Sequence, residues 1–363
     1  MQTQLYKILT LFLILPMFMV ANNNPNNKGK HTKKKVINKE FSVQANATLN
    51  VDNSYGNLDI ITWNENKIAF EITITTNGNN EEKVIEKLND ITVAFENSPN
   101  LVSAKTIFKN NSRSWFSWGK SNNVSMKINY VIKMPITNNV DLSNDYGNIT
   151  LDKLEGRAKI NCDYGKITTK ELMAENNSIN FDYTQNSYFE YINSGEINAD
   201  YSGFTVGKAK KLAIVADYTK SEIEIVEDID YNCDYGSITI QKANNINGNG
   251  DYLTTRIGEV YKNVSLKADY GSIKIDQITA NAKNINIASD YVGITIGYHA
   301  DYHFNFKIDL EYASLREADG FEFNKKHSDS NDKYYEGFYG NNNTKNQIKI
   351  ESDYGSVTFK KKQ

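Results

Sequence analysis

Apolar and polar residues alternate along most of this chain in short runs that break at a near-constant interval. Ahead of each break the apolar positions lie five, three and one residues before an Asp, as in Leu212, Ile214, Ala216 before Asp217 and Val264, Leu266, Ala268 before Asp269. After it they resume at plus four and plus six, as in Ile149 and Leu151, Ile238 and Ile240, or Ile273 and Ile275. A period of two carried by β-branched residues marks a half-buried strand. Each unit therefore predicts strand, tight bend, strand.

The break itself is an Asp-Tyr pair. It recurs at Asp145-Tyr146, Asp163-Tyr164, Asp182-Tyr183, Asp200-Tyr201, Asp217-Tyr218, Asp234-Tyr235, Asp251-Tyr252, Asp269-Tyr270, Asp290-Tyr291 and Asp353-Tyr354, and Glu311-Tyr312 continues the series. Short, regular self-similarity is the signature of stacked units that bury their apolar side only against their neighbours. The fold class read from this is all-β, a β-solenoid (β-helix) of about 17–21 residues per coil. At about 4.8 Å per coil, ten coils span roughly 50 Å.

Strict alternation puts Ile160, Cys162 and Tyr164 on one face, so the tyrosines are expected inside with the core. Asp163 is expected outside. Gly147, Gly165, Gly236, Gly271 and Gly355 follow their Tyr, where a bend calls for backbone angles that a side chain resists. Cys162 and Cys233 occupy the same inward slot four coils apart, about 19 Å by the strand spacing, and are expected as free, buried thiols.

The ends of the chain read differently. Residues 1–21 have the shape of a signal peptide: Lys7, an apolar run from Ile8 to Val20 that is too short for a comfortable span, then Ala21. No later segment is apolar enough to cross a bilayer. Residues 22–38 read as a disordered basic tether. Residues 39–141 hold a first coil at Leu49 to Ile60, followed by an αβ excursion capping one end. In it Ile68–Ile74, Leu101–Phe108 and Val124–Met134 alternate as strands, and Glu81–Ile91 carries apolar residues at helical spacing. Residues 142–363 form the repeat array, with a long loop at 324–346 before a closing strand at Gln347–Lys360.

The early Ser54-Tyr-Gly-Asn-Leu-Asp-Ile60, Trp63, a strand ending at Met134-Pro135, and the resumed Asn144-Asp-Tyr-Gly-Asn-Ile-Thr-Leu151 follow one another in a recognisable order. In this the chain, over roughly residues 40–360, resembles the bacterial putative-adhesin family of exported β-strand-repeat proteins. The resemblance implies fold and export, and no catalytic residue.

The chain has 41 basic and 44 acidic residues, a balance that favours no nucleic-acid partner. Stacked Asp carboxylates invite calcium, but the calcium-binding nonapeptide repeat needs an Asp every nine residues. Asp beside a bend is expected to hold its own turn amides instead. His299 and His303 lie on an alternating stretch, Tyr298–Ile308, which separates them by about 13 Å. No HExxH, phosphate-binding glycine loop or GxSxG element occurs. No metal or cofactor is expected, and the chain is not read as an enzyme; a polysaccharide-cleaving β-helix is the alternative.

The segment Ser112-Arg-Ser-Trp115-Phe116-Ser-Trp118 joins two predicted strands, and its aromatic residues sit among Asn and Ser. Arg113, Trp115, Phe116 and Trp118 are the expected contact residues, since Trp with Arg is the composition of binding hot spots. The expected role is an exported, non-enzymatic binding or structural module of the cell envelope, monomeric, with a glycan or a surface protein as partner.

Overall fold

The computed structural model describes residues 29–109 and 124–362, and regular structure in them is almost wholly strand. All 24 strands belong to one continuous sheet. In chain order the first part runs β1 (His31–Ser42), β2 (Thr48–Ser54), β3 (Leu58–Trp63), β4 (Lys67–Gly78), α1 (Glu81–Asp90), β5 (Ile91–Ser98), β6 (Leu101–Phe108) and β7 (Ser125–Pro135). The repeats follow as β8 (Asn139–Asp145), β9 (Ile149–Leu151), β10 (Ala158–Asp163), β11 (Ile167–Leu172), β12 (Asn177–Asp182), β13 (Ser187–Asp200), β14 (Gly203–Asp217), β15 (Lys220–Asp234), β16 (Gly236–Asp251), β17 (Leu253–Ile278) and β18 (Ile285–His299). The last part comprises β19 (Phe304–Glu311), β20 (Leu315–Arg316), β21 (Phe321–Ser328), β22 (Asp332–Tyr339), β23 (Gln347–Asp353) and β24 (Val357–Lys362).

Each repeat pairs in parallel with the next, and like positions meet like positions. Asp145 lies opposite Asp163, Asp200 opposite Asp217, Asp217 opposite Asp234, and Asp269 opposite Asp290. Between the ladders the alternating apolar set is dry: Ile160, Ile179, Ile197 and Ile214 are at most 1% exposed. Parallel strands covered on one face by their own neighbours need no separate layer to exclude water. The two cysteines are free and buried, as the spacing required.

At both ends the sheet departs from chain order. The first repeat, β2 and β3, sits between β8 and β9 on one side and β6 and β7 on the other. The last repeat, β23 and β24, sits between β18 and the pair β19 and β20, which precede it in the chain. Antiparallel strands then finish each end: β4 on β7 with β1 outside it, and β22 on β19 with β21 outside it. Helix α1 is capped by Asn80, whose side chain accepts the Lys83 amide, and it buries Val84 and Leu88.

Three expectations are corrected here. Residues 31–38, assigned to a disordered tether, belong to β1, which pairs with β4 along its full length and half-buries Ile37 and Phe41. Its run of lysines hid the alternation; Lys33 pairs with Glu81 of α1 at 2.6 Å. The long loop expected at 324–346 is largely the β21–β22 hairpin, held by the buried rings of Tyr335 and Tyr339. The continuous strand expected over Tyr298–Ile308 is broken at residues 300–303, so His299 and His303 lie on either side of a turn.

Candidate functional site

The Asp-Tyr pairs line up along the sheet into two adjacent columns. The tyrosines are not in the core. Twelve of them, from Tyr55 to Tyr354, have φ between 50° and 63°, the left-handed region, and eleven are 45–52% exposed. The alternation that predicted an inward ring ends at the Asp, because a left-handed residue turns the chain and sends the next side chain sideways. That conformation costs a non-glycine residue roughly 1–2 kcal/mol. A bend alone would be met more cheaply by Gly or Asn, so the Tyr is kept for its ring.

The rings stack. Successive centroids lie 4.6–5.2 Å apart with planes within 9° of parallel, in the order Tyr55, Tyr146, Tyr164, Tyr183, Tyr201, Tyr218, Tyr235, Tyr252, Tyr270, Tyr291, Tyr354, Tyr312. Aromatic pairs contribute about 0.5–1.5 kcal/mol each, which is enough to offset most of the backbone strain. Each ring face is covered by the next ring, so what reaches solvent is the ring edge and the hydroxyl. Partial burial and then the neighbouring phenols push Tyr164, Tyr201 and Tyr270 up from the ordinary phenol value.

The glycines after the Tyr serve a different purpose from the one expected. None has a positive φ. A Cβ on Gly147 would lie 1.8 Å from the carbonyl oxygen of Gly56, and one on Gly165 2.0 Å from that of Gly147. They allow neighbouring backbones to approach. Where the repeat has a hydroxyl instead, it caps the same corner: Thr219 Oγ1 donates to the carbonyls of Ala199 and Asp217, both at 2.9 Å.

The Asp column forms a staircase. From Asp182 to Asp251 the amide of each ladder Asp donates to the carboxylate of the Asp before it, at 3.1 Å from Asp182 to Asp163, 3.2 Å from Asp200 to Asp182, 3.1 Å from Asp217 to Asp200, 3.3 Å from Asp234 to Asp217 and 2.9 Å from Asp251 to Asp234. These carboxylates hold a neighbouring repeat, not their own turn as the sequence reading had it. No Lys or Arg forms an ion pair with a ladder Asp among the described residues. Burial first, then the charge of adjacent ladder carboxylates, holds Asp145 and Asp251 above the usual carboxylate range.

Beside the staircase runs an amide ladder, Asn198 to Asn180 to Asn161 at 2.9 and 3.0 Å, and further back along the strands, away from the Asp column, runs a second, Asn263 to Asn245 to Asp228 at 2.9 and 2.7 Å. They line two shallow depressions of about 410 and 460 Å³. The surface is thus a strip of phenol edges bordered by carboxylates and amides. No group of three or more His, Cys, Asp or Glu side chains is placed to hold a metal ion among the described residues.

Of the residues singled out in the sequence for contact, Arg113, Trp115, Phe116 and Trp118 lie outside the described residues. The Tyr strip was passed over as core. Its signal was present: Tyr recurs at one position, whereas the inward positions vary freely among Ile, Leu, Ala, Cys and Val.

No protein-family model matches this chain, and no curated protein does. Similar solved structures are described as a putative cell adhesion protein from Clostridium sporogenes, at 12% identity, covering 91% of this chain and 100% of that one, with a TM-score of 0.18. Two others are described as putative adhesins. That from Parabacteroides distasonis has 10% identity, coverage of 90% and 97% and a TM-score of 0.30, and that from Parabacteroides merdae has 11% identity, coverage of 89% and 95% and a TM-score of 0.31. These structures carry the family name that the sequence features resemble. No helix among the described residues is long and apolar enough to cross a membrane.

Proposed function

We propose that this chain is an exported β-solenoid of the cell envelope or surface, acting as a non-enzymatic binding and structural module. The observation that carries the reading is the Tyr ladder: twelve strained tyrosines stacked in one strip, eleven of them about half exposed. Backbone strain that recurs at one surface position points to use of that surface. The parallel, in-register pairing of the repeats supports a stiff winding, which holds the strip in a fixed geometry. Its partner is a glycan or a surface protein. Export rests on the signal-peptide shape of residues 1–21, and a second contact point is the segment around Trp115 and Trp118.

The test is a binding screen of the chain from residue 22 onward against glycans and envelope extract, with calcium and with chelator. Specific binding is expected. Its loss in Tyr201→Asn/Tyr218→Asn/Tyr235→Asn places the contact on the ladder, and its loss in Trp115→Ala/Trp118→Ala places it at the segment around those residues. No binding, together with turnover of any member of a polysaccharide panel, would overturn the reading in favour of an enzyme.

A further inference from the structure

We propose that the Tyr-Asp strip is a self-association surface, and that its partner is a second copy of this chain docked strip to strip. The inference deepens the binding reading above and rests on it.

Size is the first ground. A Tyr ring offers roughly 150–250 Å², so eleven rings about half exposed leave on the order of 1,000 Å² of mostly aromatic surface. The largest apolar patch on an ordinary monomer is about 300–600 Å². A standard stable interface takes about 800 Å² from each partner. The strip therefore exceeds what a monomer ordinarily exposes and matches what one side of a dimer buries.

Chemistry narrows the partner. Sugars stack on the faces of aromatic rings, and here every interior face is covered by another ring at 4.6–5.2 Å. The uncompensated Asp column repels nucleic acid and anionic lipid. What the strip offers is a row of donors, the phenol hydroxyls, beside a row of acceptors, the Asp carboxylates. The hydroxyls from Tyr146 to Tyr291 have no hydrogen-bond partner among the described residues. A surface that pairs donors with acceptors in adjacent columns is complementary to itself once rotated by two-fold symmetry. The Tyr column of one copy then faces the Asp column of the other. Such isologous contacts are the commonest way that identical chains meet.

Period is the third ground. Rungs spaced as these are can all be engaged at once only by a partner with the same repeat, and a second copy has it by construction. A partner with another spacing drifts out of step within a few rungs.

The experiment is sedimentation of the chain from residue 22 onward over a range of concentrations, together with hydroxyl-radical footprinting of the tyrosines at the two extremes. A reversible dimer is expected, half-associated at about micromolar concentration or below. Tyr164, Tyr201, Tyr235 and Tyr270 should be protected at high concentration. Tyr188, which lies within β13 outside the Tyr column and is 38% exposed, should not be. Tyr201→Asn/Tyr218→Asn/Tyr235→Asn should weaken association by more than about tenfold, because Asn tolerates the left-handed bend while the rings are lost. If that variant does not fold, footprinting of the wild type decides. A monomer at every concentration, or a dimer whose ladder tyrosines react as in the monomer, would overturn the inference. If the variant also loses a glycan or surface protein that the monomeric wild type binds, the binding reading stands and self-association alone fails.

Discussion

Tyr354 stacks on Tyr291 at 4.6 Å although 63 residues separate them, and Tyr312, which lies between the two in sequence, stacks on the far side of Tyr354. The last repeat is thereby threaded into the sheet, flanked by β18 and β19. Its apolar set, Ile348, Ile350, Val357 and Phe359, is at most 1% exposed.

Substitution of that inserted repeat is therefore expected to act like a core change and not like a frayed terminus. Ile350→Ala should cost about 2–5 kcal/mol, read by urea denaturation. A loss below about 0.5 kcal/mol, the size typical of surface positions, would mean that β23 is not seated as described.

The left-handed bend predicts a sharp dependence on side-chain type. Tyr218→Asn should fold with a modest loss, because only the stacking with Tyr201 and Tyr235 is removed. Tyr218→Val adds about 1–3 kcal/mol of backbone strain, since a branched side chain resists positive φ. Thermal melts of the two variants should separate in that order.

Two glycines make a matched pair. At Gly165 a Cβ would meet the Gly147 carbonyl oxygen at 2.0 Å, whereas at Gly293 nothing lies within 4 Å. Gly293→Ala should be neutral or stabilise by about 0.4–1 kcal/mol through the unfolded chain. Gly165→Ala should destabilise, with a lower melting temperature as the readout.

The Asp staircase gives the protein an unusual response to acid. Asp145, Asp182, Asp251 and Asp353 are raised above their ordinary value of 3.8, by burial first and by neighbouring ladder carboxylates as well. A carboxyl that is harder to ionise in the folded state makes folding take up protons. Its contribution to stability therefore rises as pH falls from neutral toward the ordinary value. Glu81, lowered by its hydrogen bond to Lys33, acts in the opposite sense, below 4.5. Melting temperature should thus climb on mild acidification before acid unfolding sets in. Asp251→Asn should raise it at pH 7 and flatten the climb; an unchanged profile would count against ladder repulsion.

The two thiols test how dry the interior is. Burial pushes both Cys162 and Cys233 up to about 12, so neither presents a reactive thiolate at neutral pH. Ellman's reagent should find no thiol in the native protein and two in urea. Fast labelling without denaturant would show that the repeats open locally.

Much of this architecture was legible because one interaction repeats. Alternation around Ile160 and Cys162 set strand positions, and a recurring pair fixed the period. The Tyr parity misled because alternation assumes extended backbone throughout, and one left-handed residue per repeat suspends it. The insertion of Gln347–Lys362 between earlier repeats had no local signal, since its residues match any other repeat and pairing partners are a property of the whole sheet. Strand β1 was masked by lysines that satisfy themselves at the surface beside Glu81. The surface strip was seen as a pattern and misplaced, whereas the contact residues around Trp115 lie beyond what the structure describes.

The staircase has a direction. Every rung from Asp182 to Asp251 donates from the later repeat to the earlier one, and the two Asn ladders run the same way. Aligned bond dipoles add, as they do along a helix, so one end of the array differs electrically from the other even where their sequences agree. The least conspicuous hydrogen bonds in the molecule thus give it the character of a compass needle.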